Sequence, residues 1–390
     1  MKLEMFNVGF GDCFWLYNDE NLLWIDCGSV AKPYDSFSMI EFAHRLMSDA
    51  EGRFEQKNAL ITHFHKDHIS GFEHLANSNR QTTNINDQAL FDKVYIPYLT
   101  IARNGRLVFM ELVIFAYVFL SSHSSGHEAA RAILTHPIWL TQICRINDIK
   151  CVSTGDQFAI GNDNFEVLWP DRIFPIDDTA DCIVSEINRL TSGLEDYNSA
   201  KEALLLLIKN WFRKISIDNE EFDEEGLIDT VDNIRRSIDR LDRINGEWPE
   251  DFFLSNIEFG KFFARCVNST SVVFHDTDQK VLMNGDITKR IIDNYLLSRY
   301  SPYYKAIKIQ HHGTRNYFSD NLPCACNLLI STGPRRNYGK ISSSYLSHPC
   351  EHANRWCTLG VIHCEIQDLC SACINSYCVI LYRKTLDLGS

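Results

Sequence analysis

Short apolar runs separated by turn residues recur along this chain and predict strands, whereas two long stretches carry apolar positions at helical spacing. Residues 59–62 (ALIT) read as a buried strand, and the apolar positions from Ile69 to Leu75 open a helix directly after it. Residues 266–274 (CVNSTSVVF) and 280–288 (KVLMNGDIT) read as two adjacent strands with a turn at 275–279. Residues 304–314 read as a further strand ending in a turn, and residues 377–382 as a final strand. Helical periodicity appears at 204–211 and again at Ile228, Val231, Ile234, Ile238, Leu241 and Ile244. Residues 107–120 (LVFMELVIFAYVFL) are almost wholly apolar. That run is too short to span a bilayer and is interrupted by Glu111, so it predicts a buried or interface helix.

The chemistry concentrates in residues 63–71, HFHKDHISG, which fall in the turn between the first of these strands and its helix. Alternation along extended backbone sends His63 and His65 to one side, where both imidazoles reach one ion. Asp67 and His68 follow where the chain turns and point to a second ion about 3.5–4 Å away, the spacing usual in two-metal hydrolytic sites. Four ligand-type residues within six positions, directly after a core strand, predict a metal centre.

This spacing resembles the HxHxDH signature of the metallo-β-lactamase fold, with Gly71 at that family's usual glycine. The branch most similar is the ComEC-like group, the hydrolase domain of bacterial competence channels. Its motifs are matched by NVGFGD at 7–12, by 268–273, by Gly285-Asp286 and by His311-His312-Gly313. The resemblance implies an α/β fold, the four-layer αβ/βα metallo-β-lactamase sandwich, holding two divalent ions, Zn or Mn. It assigns His63, His65, Asp67, His68, Asp286 and His312 as metal ligands, with the two oxygens of Asp286 bridging the ions. Asp26, in a Asp26-Cys27-Gly28 turn, would orient a ligand histidine or the loop. Of the histidine pair, His312 is favoured as ligand and His311 as substrate contact. The first ion lacks an obvious third histidine: His123, His127 and His136 lie in no motif, and Trp169 stands near the expected place.

At 390 residues and 45% hydrophobic, the chain exceeds the roughly 220–250 residues such a sandwich needs, which predicts insertions. The domain reading is an N-terminal half of the fold at 1–99, a helical insertion at 100–150 and fold strands at 151–170. An acidic helical insertion at 171–263 follows, as a cap or a dimerising element, and then the C-terminal half at 264–390.

A net charge of −13 argues against tight nonspecific binding to nucleic acid, which relies on clustered Lys and Arg. Arg335, Arg336 and Lys340, with Lys305 and Lys308, are the nearest approach to a basic patch, and ordinary surface charge is the simpler account of them. Fourteen cysteines without a signal peptide predict reduced thiols in a cytoplasm, and no membrane segment is expected. Eight of them crowd after position 323, where Cys370 and Cys373 have the CxxC spacing of a zinc knuckle. No second CxxC pairs with it, so buried free thiols are the favoured reading over a structural zinc.

The implied activity is direct hydrolysis by a metal-activated hydroxide, with Asp67 orienting it and His311 or Lys308 meeting an anionic substrate. ComEC-like resemblance implies a phosphodiesterase or nuclease acting on DNA or a nucleotide. The alternatives are a small-molecule phosphoester hydrolase and a metal-stabilised binding or regulatory subunit of a multi-protein bacterial system such as phage defence. A protein partner or homo-oligomer through the insertions is compatible with each.

Overall fold

The computed structural model describes residues 1–79, 89–100, 106–122, 124–173, 177, 179–217, 223–243, 250–333, 341–346, 353–358 and 383–389. Among them the chain forms a mixed α/β structure around two large sheets. The first contains β1 (Lys2–Phe6), β2 (Cys13–Tyr17), β3 (Asn21–Cys27), β4 (Gln56–Leu60), β5 (Lys93–Pro97) and β6 (Ile149–Val152) in that order. The second contains β7 (Gln157–Ile160), β8 (Asp163–Trp169), β9 (Val273–Asp276), β10 (Val281–Met283), β11 (Tyr303–Lys308), β12 (Cys324–Ile330) and β13 (Asn354–Cys357). The closing strand β14 (Arg383–Asp387) returns to pair antiparallel with β1. The expected final strand at 377–382 lies outside the described residues.

Each sheet changes character at one strand. β3 runs antiparallel to β2 but parallel to β4, and β10 runs antiparallel to β9 but parallel to β11. The two sheets share a core in which Leu16, Leu23, Ile25 and Leu60 of the first meet Phe165, Phe274, Met283 and Leu329 of the second. Alternation sends the other face of the first sheet, with Trp15 and Trp24, into a larger core shared with helices. There α1 (Met39–Glu51) and α2 (Lys66–Asn79) bury Phe42, Leu46, Phe72 and Leu75.

The helical segments leave the sheets at one edge. α3 (Val108–Phe119) and α4 (Ser125–Leu140) lie between the parallel neighbours β5 and β6. Between β8 and β9 come α5 (Ala180–Leu190), α6 (Glu195–Lys214), α7 (Glu224–Asp242) and α8 (Glu250–Asn268). Because β8 and β10 are both antiparallel to β9, they run the same way, so α5 follows the edge of the sheet where β10 also ends. The two helical segments pack on each other: α3 buries Phe109 through Ala116, and Phe115 meets Phe259 edge to face at 5.2 Å. Among the described residues no helix is long and apolar enough to cross a membrane. Ile228 is half exposed, while Val231, Ile234, Ile238 and Leu241 are buried on α7; Ile244 lies outside the described residues.

One strand expectation is corrected. Residues 266–268 end helix α8, because Phe262, Phe263, Cys266 and Val267 continue a buried helical stripe, and extended structure resumes only at Val273. The α2 helix also starts earlier than its apolar positions suggest, at Lys66, which places Asp67 and His68 in its first turn.

Candidate metal centre

The carboxyl ends of β3, β4, β10 and β11 converge, and the residues just beyond them face one another. β4 ends at Leu60, after which Thr62, His63 and His65 lead into α2. Gly28 and Gly11 let two further loops press against this turn. A Cβ on Gly28 would stand 2.4 Å from the Asp67 carbonyl carbon and the His68 nitrogen. The Asp12 amide donates to the Asp67 carbonyl at 2.9 Å. The loop is therefore clamped from outside its own segment.

Four histidines and two aspartates stand at ligand spacing. Atoms bound about 2.0–2.1 Å from one ion lie roughly 3.3–3.4 Å apart in a tetrahedron. His68 Nε2 and His312 Nε2 each lie 3.3 Å from Asp286 Oδ2, and His312 Nε2 lies 3.3 Å from Asp67 Oδ2. His63 Nε2 and His65 Nδ1 are 3.1 Å apart, and His63, His68 and Asp286 form one compact group. Asp67, His68 and His312 thus outline one pocket, and His63, His68 and Asp286 a second beside it, with His65 against His63.

Hydrogen bonds select the ring nitrogens that face inward. Asp26 accepts from the Thr62 amide at 2.8 Å, from the Thr62 hydroxyl at 2.6 Å and from His68 Nδ1 at 2.7 Å. With its proton spent on Asp26, the Thr62 hydroxyl accepts from His63 Nδ1 at 3.2 Å. His312 Nδ1 donates to the Ser331 carbonyl at 2.7 Å. His63, His68 and His312 accordingly present Nε2 to the centre, and His68 Nε2 is buried without a hydrogen bond. Such outer partners fix ligand tautomer and orientation.

Charge makes the same demand. Asp12, Asp26, Asp67 and Asp286 oppose a single buried ammonium, Lys308, which leaves three negative charges when the histidines are neutral. In an ion-free chain protons fill that deficit. Burial opposes a charge on His68, but Asp286, Asp26 and Asp12 raise its pKa to about 10, and His312 is raised as well. Burial likewise opposes ionisation of Asp67, yet His312 and His68 hold its carboxyl far below the usual range. Divalent cations displace such protons and supply the missing charge, so the buried His/Asp donor set is one that could hold a metal ion.

One expected role changes. Lys308 is 1% exposed, and its ammonium pairs with Asp12 at 2.5 Å and donates to Asp286 Oδ1 at 3.0 Å and the Gly285 carbonyl at 2.7 Å. Sealed in the interior with both hydrogen bonds and its ion pair directed at the protein, it does not contact substrate. The two oxygens of Asp286 have different partners: Oδ1 accepts from Lys308, and Oδ2 stands 3.3 Å from both His68 Nε2 and His312 Nε2.

His311 turns away from the ligand set. Both residues of the pair adopt positive φ, 44° and 57°, a conformation that sends neighbouring side chains to different sides of a tight turn. The His311 ring stacks on Tyr317 at 3.6 Å and 1°, its Nδ1 donates to Thr314 Oγ1 at 2.7 Å, and the residue lines the adjoining cavity. Burial lowers its pKa to about 4, so at neutral pH it is an uncharged imidazole.

The candidates for a third histidine are placed elsewhere. His136 is buried between Phe64 and Phe212, with Nδ1 donating to Ile133 and Nε2 accepting from Trp211, so neither nitrogen is free. His127 stacks on Tyr117, and Trp169 donates to the Ser269 carbonyl at 2.7 Å. His123, Cys370, Cys373 and the cluster Arg335, Arg336 and Lys340 lie outside the described residues. Asp12 is a participant that carried no assigned role; its place in the GFGD turn, matched to the opening motif, was the available signal.

Beside the centre opens a cavity of about 830 Å³ lined by His65, Asp67, Asp286 and His311. Lys32, Lys66, Lys261 and Arg265 also line it, the last two from α8. No protein-family model matches this chain, and no curated protein matches it.

Proposed function

We propose that this chain is a metal-dependent hydrolase of the metallo-β-lactamase fold, acting on a phosphodiester. The observation that carries the reading is the set of inward-facing nitrogens and carboxylate oxygens spaced at the edges of metal polyhedra. The two sheets sharing a core, with ligands arriving in the order His63 to His68, Asp286 and His312, support the ComEC-like likeness.

Divalent ions bound there would lower the pKa of water and offset charge on phosphate oxygens. The protein's own part is to place the ligands and orient the substrate. Asp67 borders both the ligand set and the cavity, and in this reading its carboxylate accepts a hydrogen bond from the attacking water. His311, neutral and anchored through Nδ1 to Thr314, presents Nε2 to the substrate side. In a chain of net charge −13, Lys32, Lys261 and Arg265 around the mouth of an acidic centre, with Lys66 paired to Glu128, favour an anionic substrate over a lactam or thioester.

The size of the cavity favours a second reading, hydrolysis of a nucleotide or other small phosphodiester, since its volume is in the range of small-molecule sites. Purified protein with Mn²⁺ or Zn²⁺ is offered single-stranded DNA, duplex DNA, cyclic and linear nucleotides, and bis-p-nitrophenyl phosphate. Cleavage of DNA that is lost in Asp67→Ala and His68→Ala supports the nuclease; cleavage of the small esters alone supports the second reading. If a chain verified to hold metal hydrolyses none of them, the hydrolase proposal fails and a binding role takes its place.

A further inference from the structure

The pocket formed by His63 and His65 has a place for another protein ligand, and a buried polar atom stands beside it. Asn268 is 2% exposed, and its carboxamide oxygen has no hydrogen-bond partner among the described residues. Leaving such an oxygen dry and unpaired costs about 1–3 kcal/mol, so its retention needs a reason. The amide is oriented by its other end, since Nδ2 donates to the Tyr317 hydroxyl at 3.0 Å. The Asn268 side chain neighbours the His65 imidazole. Asn268 lines the same cavity as His65, Asp67 and Asp286.

The backbone holds this residue as firmly as the histidines. Asn268 is the last residue of α8, and the Ser271 amide donates to its carbonyl at 3.1 Å. The Val272 amide donates to the Thr62 carbonyl at 2.9 Å, which ties the segment to the residue before His63. Ser271 Oγ in turn accepts from the Asp286 amide at 3.2 Å. The end of α8 is thereby fixed against both halves of the centre.

We infer that the Asn268 carboxamide oxygen is the third protein ligand of the ion held by His63 and His65, in the place of a third histidine. The inference rests on the metal-centre reading above. An amide oxygen is a harder donor than imidazole, so this pocket suits Mn²⁺ better than a three-histidine pocket would, and it is the weaker of the two for Zn²⁺. The helical segment before β9 then does more than cover the cavity, because its last residue completes the metal site.

Metal content tests this without reference to activity. The full chain is stripped with chelator, reloaded with Zn²⁺ or Mn²⁺, desalted and analysed for bound metal, with affinities from competition against a chromophoric chelator. Wild type should take two ions. Asn268→Ala should lose the weaker one or bind it more than about tenfold less tightly. Asn268→His should keep two ions, with the weaker site now tighter for Zn²⁺, because it supplies a nitrogen ligand instead of merely orienting His65. Asn268→Asp retains an oxygen and should keep two, which separates ligand loss from misfolding. Two ions at unchanged affinity in Asn268→Ala would overturn the inference, as would loss of the ion in Asn268→His and Asn268→Asp alike. A wild-type chain that takes one ion at saturating metal overturns it while leaving the pocket of Asp67, His68 and His312 intact. A wild-type chain that takes none removes the metal-centre reading itself.

Discussion

Replacing Lys308 by methionine removes the one permanent cation from the buried centre while keeping the length of the side chain. Its ammonium is the common partner of Asp12 and Asp286, and breaking a buried pair from one side typically costs about 3–5 kcal/mol. The stranded carboxylates have an escape, which is to take up a proton. From the ordinary value of 3.8, protonating one of them at pH 7 costs about 4 kcal/mol, and at pH 5 about 1.6 kcal/mol. Burial opposes ionisation of Asp12, and Lys308 leads the charges that hold its pKa down; His312 and Lys308 hold down that of Asp286. A depressed carboxylate pKa gives stability that is present above the ordinary value and lost as pH falls. Lys308→Met in EDTA should therefore be destabilised by about 3–4 kcal/mol at pH 7 and by about 2 kcal/mol or less at pH 5. Urea unfolding followed by tryptophan fluorescence measures both, and saturating Mn²⁺ should recover part of the loss at pH 7. A variant as stable as wild type at pH 7, or a loss that is the same at both pH values, would refute the assignment of Lys308 as an internal counter-ion.

Three further outcomes are expected. Asp26→Asn replaces one of the two acceptor oxygens that orient His68 directly and His63 through Thr62 by an NH2 donor, and should weaken metal binding by about 10–100-fold, read by chelator competition. Gly28→Ala drives a Cβ into the backbone of Asp67 and His68, so it should destabilise the chain by about 1–3 kcal/mol and lower metal affinity as well. Loss of stability with unchanged affinity would show that the loop relaxes without moving its ligands. His136, buried as a neutral ring, has a pKa lowered to about 3; the stability it contributes is complete above its ordinary 6.5 and is lost as pH falls below it. Between pH 6.5 and 4.5 this amounts to about 2.7 kcal/mol, a loss that His136→Gln should remove from the acid limb of a thermal or urea stability profile.

Residues 63–68 were legible because their chemistry is local: a strand ends, a helix begins, and four ligand-type side chains occupy the turn. Asp286 and His312 were reachable only through a resemblance, since a lone Gly-Asp pair or His-His pair means little by itself. Lys308 could not be read correctly from its surroundings. In β11, Lys305 and Lys308 look alike in sequence, yet Lys305 reaches the Leu388 carbonyl near the surface and Lys308 is sealed between two aspartates. What separates them is the arrival of Asp12 from nearly three hundred residues away, which no local pattern records. Residues 266–268 failed for another reason: short apolar segments fit a buried helix end as well as a strand, and the preceding phenylalanines decide the matter only when their packing is known.

The arrangement of the sheets explains why the ligands come from where they do. In each sheet the strand at which pairing changes from antiparallel to parallel has an acid at or beyond its carboxyl end: Asp26 is the penultimate residue of β3, and Asp286 follows β10. The parallel neighbour of that strand is in turn followed by a histidine turn, His63 to His68 after β4 and His311-His312 after β11. At such a change the strand's two neighbours run in opposite directions, so beyond its carboxyl end their connections diverge and open a crevice. With the sheets packed on a shared core, the two crevices face one another, and each supplies acid and imidazole to a common centre. The roles then divide by what else each acid meets: Asp26 spends its oxygens on Thr62 and His68, while Lys308 leaves one oxygen of Asp286 to the histidines. Of the two acids at these strands, one is therefore taken up in orienting a histidine and the other keeps an oxygen toward the imidazoles, a division made by neighbouring side chains and not by topology.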